Sequence, residues 1–175
     1  LTAEATGPSG AVVSFSATAS DLVDGSLTVS CAPQSGSTFA LGTTTVACSV
    51  ADSRGNTANG NFTVTVRDTT PPTLTLPADL TAEATGPSGA AVSYAASAND
   101  FVDGSLTPIC TPASGSTFPL GSTSVACSTT DAHGNTGSAS FTVTVLDTTP
   151  PALNLPADFT VEATGPAGAT VSYSA

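Results

Sequence analysis

The chain has 175 residues, room for one or two domains of ordinary size. Thirteen acids against two bases, Arg54 and Arg67, give a formal charge of -11, which repels nucleic acid rather than offering the basic footprint it needs. No apolar run approaches the ~20 residues of a membrane span, no signal peptide is visible, and one histidine without tryptophan or methionine is poor equipment for catalysis.

The chain opens on Leu1–Gly10, where Gly7-Pro8 marks a turn, and Cys31 and Cys48 follow. Phe62-Thr-Val64-Thr-Val66 then alternates apolar and polar residues, as a strand does when one face meets a core and the other water. Asp68-Thr-Thr-Pro-Pro72 interrupts the pattern with two prolines, which fix φ, remove two donors and hold the preceding Thr extended. Leu74-Thr-Leu76, Val92-Ser-Tyr94 and Phe141-Thr-Val143-Thr-Val145 alternate again, before a second proline pair at Asp147–Pro151. Ser and Thr number 54 and Leu, Ile, Val and Phe only 35, so the predicted core is thin, and threonine suits the wet faces of its strands. The expectation is an all-β protein.

Leu1–Gly10 recurs unchanged at Leu80–Gly89 and, with three substitutions, at Phe159–Gly168. The period is 79 residues, and 55 of residues 1–79 are identical to their counterparts in 80–158. About seven short apolar segments per unit, separated by Gly, Pro, Asn and Asp, fit an antiparallel β-sandwich of immunoglobulin type. With the proline pairs as stiff seams, the domains are expected at 1–68, lacking the start of its first strand, and at 69–147, complete, with 148–175 the opening strands of a third. Residues 159–175 repeat the register of 1–17, so the expectation is a window from a longer tandem array.

The frame Asp-Thr-Thr-Pro-Pro, a Leu-x-Leu-Pro strand and Glu-Ala-Thr-Gly-Pro resembles the hyalin repeat. Val102–Leu106, Cys110, Phe118–Gly121, Cys127, Asp131–Asn135 and Phe141–Val145 belong to the same pattern, and the likeness covers both repeats from end to end. The resemblance implies an extracellular or cell-surface immunoglobulin-like module of adhesive and matrix proteins, and no enzymatic activity.

Cys31 and Cys48, like Cys110 and Cys127, have 16 residues between them and hold the same places in the repeat. Zinc lacks its CxxC knuckle and clustered histidines. Buried free thiols and one disulfide per repeat remain, and the disulfides are the expectation. Each would close a loop worth roughly 3 kcal/mol and would imply an oxidising compartment.

All 13 acids keep the 79-residue register, whereas Arg54 is matched by His133 and Arg67 by Leu146. No carboxylate is therefore expected to depend on a basic partner, and His133 is read as a solvated turn residue. Calcium, which prefers several hard oxygens from loops, is the candidate cofactor. In a seven-strand sandwich the loops Asn99–Gly104 and Asp131–Asn135 lie at the pole where the linker arrives. Asp100, Asp103, Asp131, Asp68 of the linker and Glu4 of the preceding repeat would then converge on one seam as metal ligands. The alternative is that these acids only serve their own turns, where Asp is favoured.

Catalysis is not expected: a retaining glycosidase needs two carboxylates about 5 Å apart in a cleft, and a small sandwich offers no cleft or aromatic platform. Asn61-Phe-Thr63 is a glycosylation sequon that Ser140 breaks in the second repeat. The leading functional expectation is a tandem array forming an extracellular fibre, filament or cell-surface stalk. Its partners would be other repeats of the same chain or other copies in a fibre. The alternatives are an adhesin whose loops recognise a protein or glycan, and a non-catalytic domain appended to a secreted enzyme.

Overall fold

The computed structural model describes residues 1–173, and among them there is no helix. The first repeat comprises β1 (Thr2–Glu4), β2 (Ala11–Val13), β3 (Ala19–Asp21), β4 (Gly25–Leu27), β5 (Ser30–Ala32), β6 (Ser37–Phe39), β7 (Gly42–Ala51) and β8 (Thr57–Arg67). The second comprises β9 (Thr73–Thr75), β10 (Leu80–Glu83), β11 (Ala90–Ala91), β12 (Ser97–Asp100), β13 (Gly104–Leu106), β14 (Ile109–Thr111), β15 (Thr117–Phe118), β16 (Gly121–Thr130) and β17 (Thr136–Leu146).

Each repeat is built on one long hairpin, β7–β8 or β16–β17. The hairpin is flanked to give sheets of order β1-β8-β7-β5 and β10-β17-β16-β14. Short pairings, β2-β6 and β3-β4 in the first repeat and β11-β15 and β13-β12-β9 in the second, form the facing layer. The threonine–valine alternation does what its period requires: Val64 and Val66 are buried, as are Val143 and Val145, while the intervening threonines are not. Phe39 with Val46 fills the first core and Phe118 with Val125 the second. Phe15 meets Phe62, and Tyr94 meets Phe141, edge to face at centroid distances of 4.9 Å, a geometry aromatic pairs favour.

One pairing departs from an all-antiparallel sandwich: β1 runs parallel to β8, and β10 parallel to β17. Both strands of each pair run from the entrance pole to the exit pole of their repeat, and no hairpin constrains them to oppose. The strands expected within 148–175 do not form among the described residues. What remains is the turn, closed by Thr164 N–H donating to Gly168 O at 3.2 Å, as Thr6 donates to Gly10 and Thr85 to Gly89. In the second repeat the strand Leu80–Glu83 is held by Val143–Leu146, and among the described residues no strand pairs with 159–162.

The disulfides Cys31–Cys48 and Cys110–Cys127 are both formed. Each joins residues directly opposite in the outer pairing, Cys31 to Cys48 in β5–β7 and Cys110 to Cys127 in β14–β16. They anchor a three-residue strand that has little core of its own.

Gly10 and Gly89 end the opening turns with φ of 100° and 103°. A Cβ on Gly89 would stand 1.8 Å from the carbonyl oxygen of Phe118, so backbone closeness and left-handed conformation both demand glycine. Gly89→Ala is expected to cost about 3 kcal/mol or more, from strain at positive φ plus overpacking. Denaturant unfolding should show the loss in the second repeat's transition. Cys110→Ser with Cys127→Ser should cost a similar ~3 kcal/mol in the same measurement.

A carboxylate cluster at the seam between repeats

The linker Asp68–Pro72 is fastened from behind by Glu4. Its Oε1 accepts the Thr69 N–H and the Thr70 hydroxyl, and its Oε2 accepts the Thr69 hydroxyl, all at 2.8 Å. Glu83 repeats the arrangement on Thr148 and Thr149. The Thr69 N–H first, then the two threonine hydroxyls, hold the Glu4 carboxyl below its ordinary range, and Thr148 and Thr149 do the same for Glu83. Ahead, the linker runs over β17: a Cβ on Gly137 would lie 2.0 Å from Pro72 O.

The pole of the second repeat meets this linker with two turns. In the first, Asp100 Oδ1 accepts the N–H groups of Val102 at 2.7 Å and Asp103 at 3.0 Å. In the second, Asp131 Oδ1 accepts from His133 N at 2.9 Å and Asn135 N at 2.8 Å, while Oδ2 accepts Asn135 Nδ2 at 2.8 Å. Burial pushes the Asp131 carboxyl up, but the Asn135 amide and the turn N–H groups outweigh it and leave the pKa lowered. The short Asp side chain bonding its own turn is why this residue type recurs here.

Three of the five expected metal ligands come together: single ligand atoms of Asp68, Asp103, Asp131 and His133 all lie within 4.8 Å of one another. Asp68 is only 6 % exposed. Its Oδ1 accepts Thr70 N at 3.2 Å, and its Oδ2, fully buried, has no hydrogen-bond donor. Glu4 is outside the group, its carboxylate turned to Thr69 and Thr70. Asp100 is outside it too, although its Oδ2 is likewise buried without a donor.

His133 was not expected to take part. It is an exposed turn residue, as read, but its Nδ1 stands 3.1 Å from Asp103 Oδ2 and 3.2 Å from Asp68 Oδ2. One ring N–H serves Asp103, so the Asp68 oxygen has proximity without a hydrogen bond. The Asp103 hydrogen bond raises the imidazole pKa against the effect of burial, with the charges of Asp103, Asp68 and Asp131 adding to it. The same position in the first repeat, Arg54, reaches Asp24 at 3.8 Å. Arg54 and His133 therefore both stand beside carboxylates, a pairing that the sequence reading did not expect. The missed signal was an exchange of basic for basic at one register position. With a side chain 64 % exposed, the Arg54 pair contributes little by itself.

The Glu4 and Glu83 clamps make the linkers acid-sensitive. A carboxyl with a lowered folded pKa contributes stability that is complete above its unfolded value, about 4.3, and lost as pH falls through the folded value. The amide resonances of Thr69 and Thr148 should titrate with midpoints below about 4.3, and Glu4→Gln and Glu83→Gln should abolish the respective steps.

The HYR domain family matches the chain twice, at residues 2–66 and 67–145. Hyalin of Lytechinus variegatus is 37% identical over 179 residues, covering 95% of this chain and 34% of the relative. Hyalin of Strongylocentrotus purpuratus is 40% identical over 133 residues, covering 72% of this chain and 11% of the relative. The chain thus spans about a third of one relative and about a tenth of the other. Among solved structures, a protocadherin gammaB7 fragment overlays 84% of this chain at TM-score 0.39 and 15% identity, spanning 45% of that fragment. Human protocadherin-24 overlays 85% at TM-score 0.36 and 16% identity, spanning 95% of that structure. With two consecutive matches that together span most of its length, the chain belongs to the HYR domain family.

Proposed function

We propose that this chain is a structural segment of a tandem extracellular array, a spacer in a fibre, filament or cell-surface stalk whose partners are further repeats. The observation that carries the reading is the direct packing of one repeat on the next. Val102, from the turn between β12 and β13, joins the apolar cluster of the first repeat and is 9 % exposed, whereas its counterpart Val23 is 70 % exposed. The same residue in the same turn is covered when a repeat stands before it. The pole is made to be stacked upon. Gly7 approaches the Phe101 backbone, and the Glu4 clamp fixes the linker alongside.

Two disulfides support an oxidising, extracellular setting. This reading gives the chain no catalytic role. An adhesive role through the polar loops is the second reading, favoured by the exposed Leu22 and Phe101 at the stacking pole.

Small-angle scattering of the 175-residue chain should give an extended profile, each repeat adding roughly 35–45 Å, about 33 Å of it from strands of about ten residues at ~3.3 Å each and the rest from the linker. A compact profile would refute the spacer role. Val102→Ser should remove about 1–2 kcal/mol of apolar burial and broaden the distance distribution while each repeat stays folded.

A further inference from the structure

The seam holds an arrangement that neither stacking nor turn formation accounts for. Three carboxylates and one imidazole present a ligand atom each within 4.8 Å of one another. An acidic cluster alone says little, because turns collect Asp for their own backbone bonds. Asp68 is different. Its Oδ2 is removed from water and accepts no hydrogen bond, with the His133 ring nitrogen 3.2 Å away beside it. A buried carboxylate oxygen without a donor is costly, and such groups are normally paired or bound to a metal.

We propose that Asp68, Asp103, Asp131 and His133 form a binding site for a borderline first-row divalent metal ion of the zinc class. Four donors, one of them nitrogen, suit a tetrahedral ion that accepts imidazole and carboxylate together. In such a site, bonds of about 2.0–2.1 Å put neighbouring donor atoms roughly 3.3 Å apart. His133 Nδ1 already stands 3.1 Å from Asp103 Oδ2 and 3.2 Å from Asp68 Oδ2, so the ion would replace the ring proton there, while donors set up to 4.8 Å apart would draw in around it. Asp131 is held in place for this by Asn135, whose side-chain amide also reaches Asp68 O at 3.3 Å.

Calcium fits the set less well. It takes six to eight oxygens, whereas the group offers three carboxylates and its fourth donor is a nitrogen. The first repeat has the turns but not the site, since Arg54 places a fixed positive charge where the imidazole stands. The site therefore belongs to the seam with His133, and its failure would leave the stacking of Val102 and the scattering result untouched.

His133 is the only histidine, so one imidazole signal reports on it. The test is a calorimetric titration of the 175-residue chain with zinc chloride and with calcium chloride after chelator treatment, with ring nitrogen NMR recorded alongside. One zinc per chain, tighter than calcium and shifting Nδ1, is the expected result. His133→Ala should weaken zinc by at least the roughly 10–100-fold that loss of even an outer-shell partner costs, and the isosteric Asp68→Asn should do likewise. Calcium binding tighter than zinc with the ring signal unmoved would overturn the proposal, as would zinc binding that survives Asp68→Asn, or no binding. The ring signal of the unaltered chain decides the matter even where a variant fails to fold.

Discussion

The register of the long hairpin is the constraint on which the rest of each repeat depends. In the second repeat it pairs Gly121 with Val145 at one end and Thr130 with Thr136 at the other. A slip of one residue would turn Val143 and Val145 to water and their threonines inward. It would also move Cys127 away from Cys110 and rotate the Asp131–Asn135 turn that β16 and β17 share. One alignment thus positions the core, the disulfide and the polar pole together. With so few large apolar residues, the chain has little other means of selecting it.

At the pole the governing cost is electrostatic. Asp68 is carried out of water by the linker, and the surrounding carboxylates of Asp103 and Asp131 worsen its position. Part of the compensation comes from the Thr70 N–H and from the imidazole edge of His133. The two repeats solve the neighbouring problem differently although their turns are the same. A guanidinium remains charged at any pH of interest, while an imidazole can give up its proton and become a ligand. That difference in side-chain chemistry adds to the linker carboxylate Asp68 and the stacked repeat that the second pole alone meets.

The architecture was legible in the sequence where a period or a register expressed it. Alternation located β8 and β17, and the repeated spacing of cysteines located both disulfides. The convergence of Asp68, Asp103 and Asp131 followed from topology alone, because a sandwich fixes which loops share a pole. Less legible were features that depend on direction and neighbours. Nothing local tells that β10 lies parallel to β17, since no tight turn joins them. Glu4 was placed near the seam, but its turn toward Thr69 and Thr70 depends on donors 65 and 66 residues away. Val102 reads as an exposed turn residue until the preceding repeat is set against it, and Gly137 reads as a weak point in a strand until Pro72 is laid across it.

The parallel pairing of the end strands has a mechanical meaning. A chain pulled through its linkers is loaded first at β9, which follows the linker, and then at the start of β10, with the end of β17 pulled the opposite way. Because the two strands run the same way, side by side, with Leu80 opposite Val143 and Glu83 opposite Leu146, the tension acts along the strands rather than across them. The hydrogen bonds of the pair are then sheared together, not opened one after another from an end as a hairpin would be. The clamps of Glu4 and Glu83 sit at the exit end of each such pair, where tension leaves the repeat. In a string of such units, tension along its length would meet each of these pairs in shear.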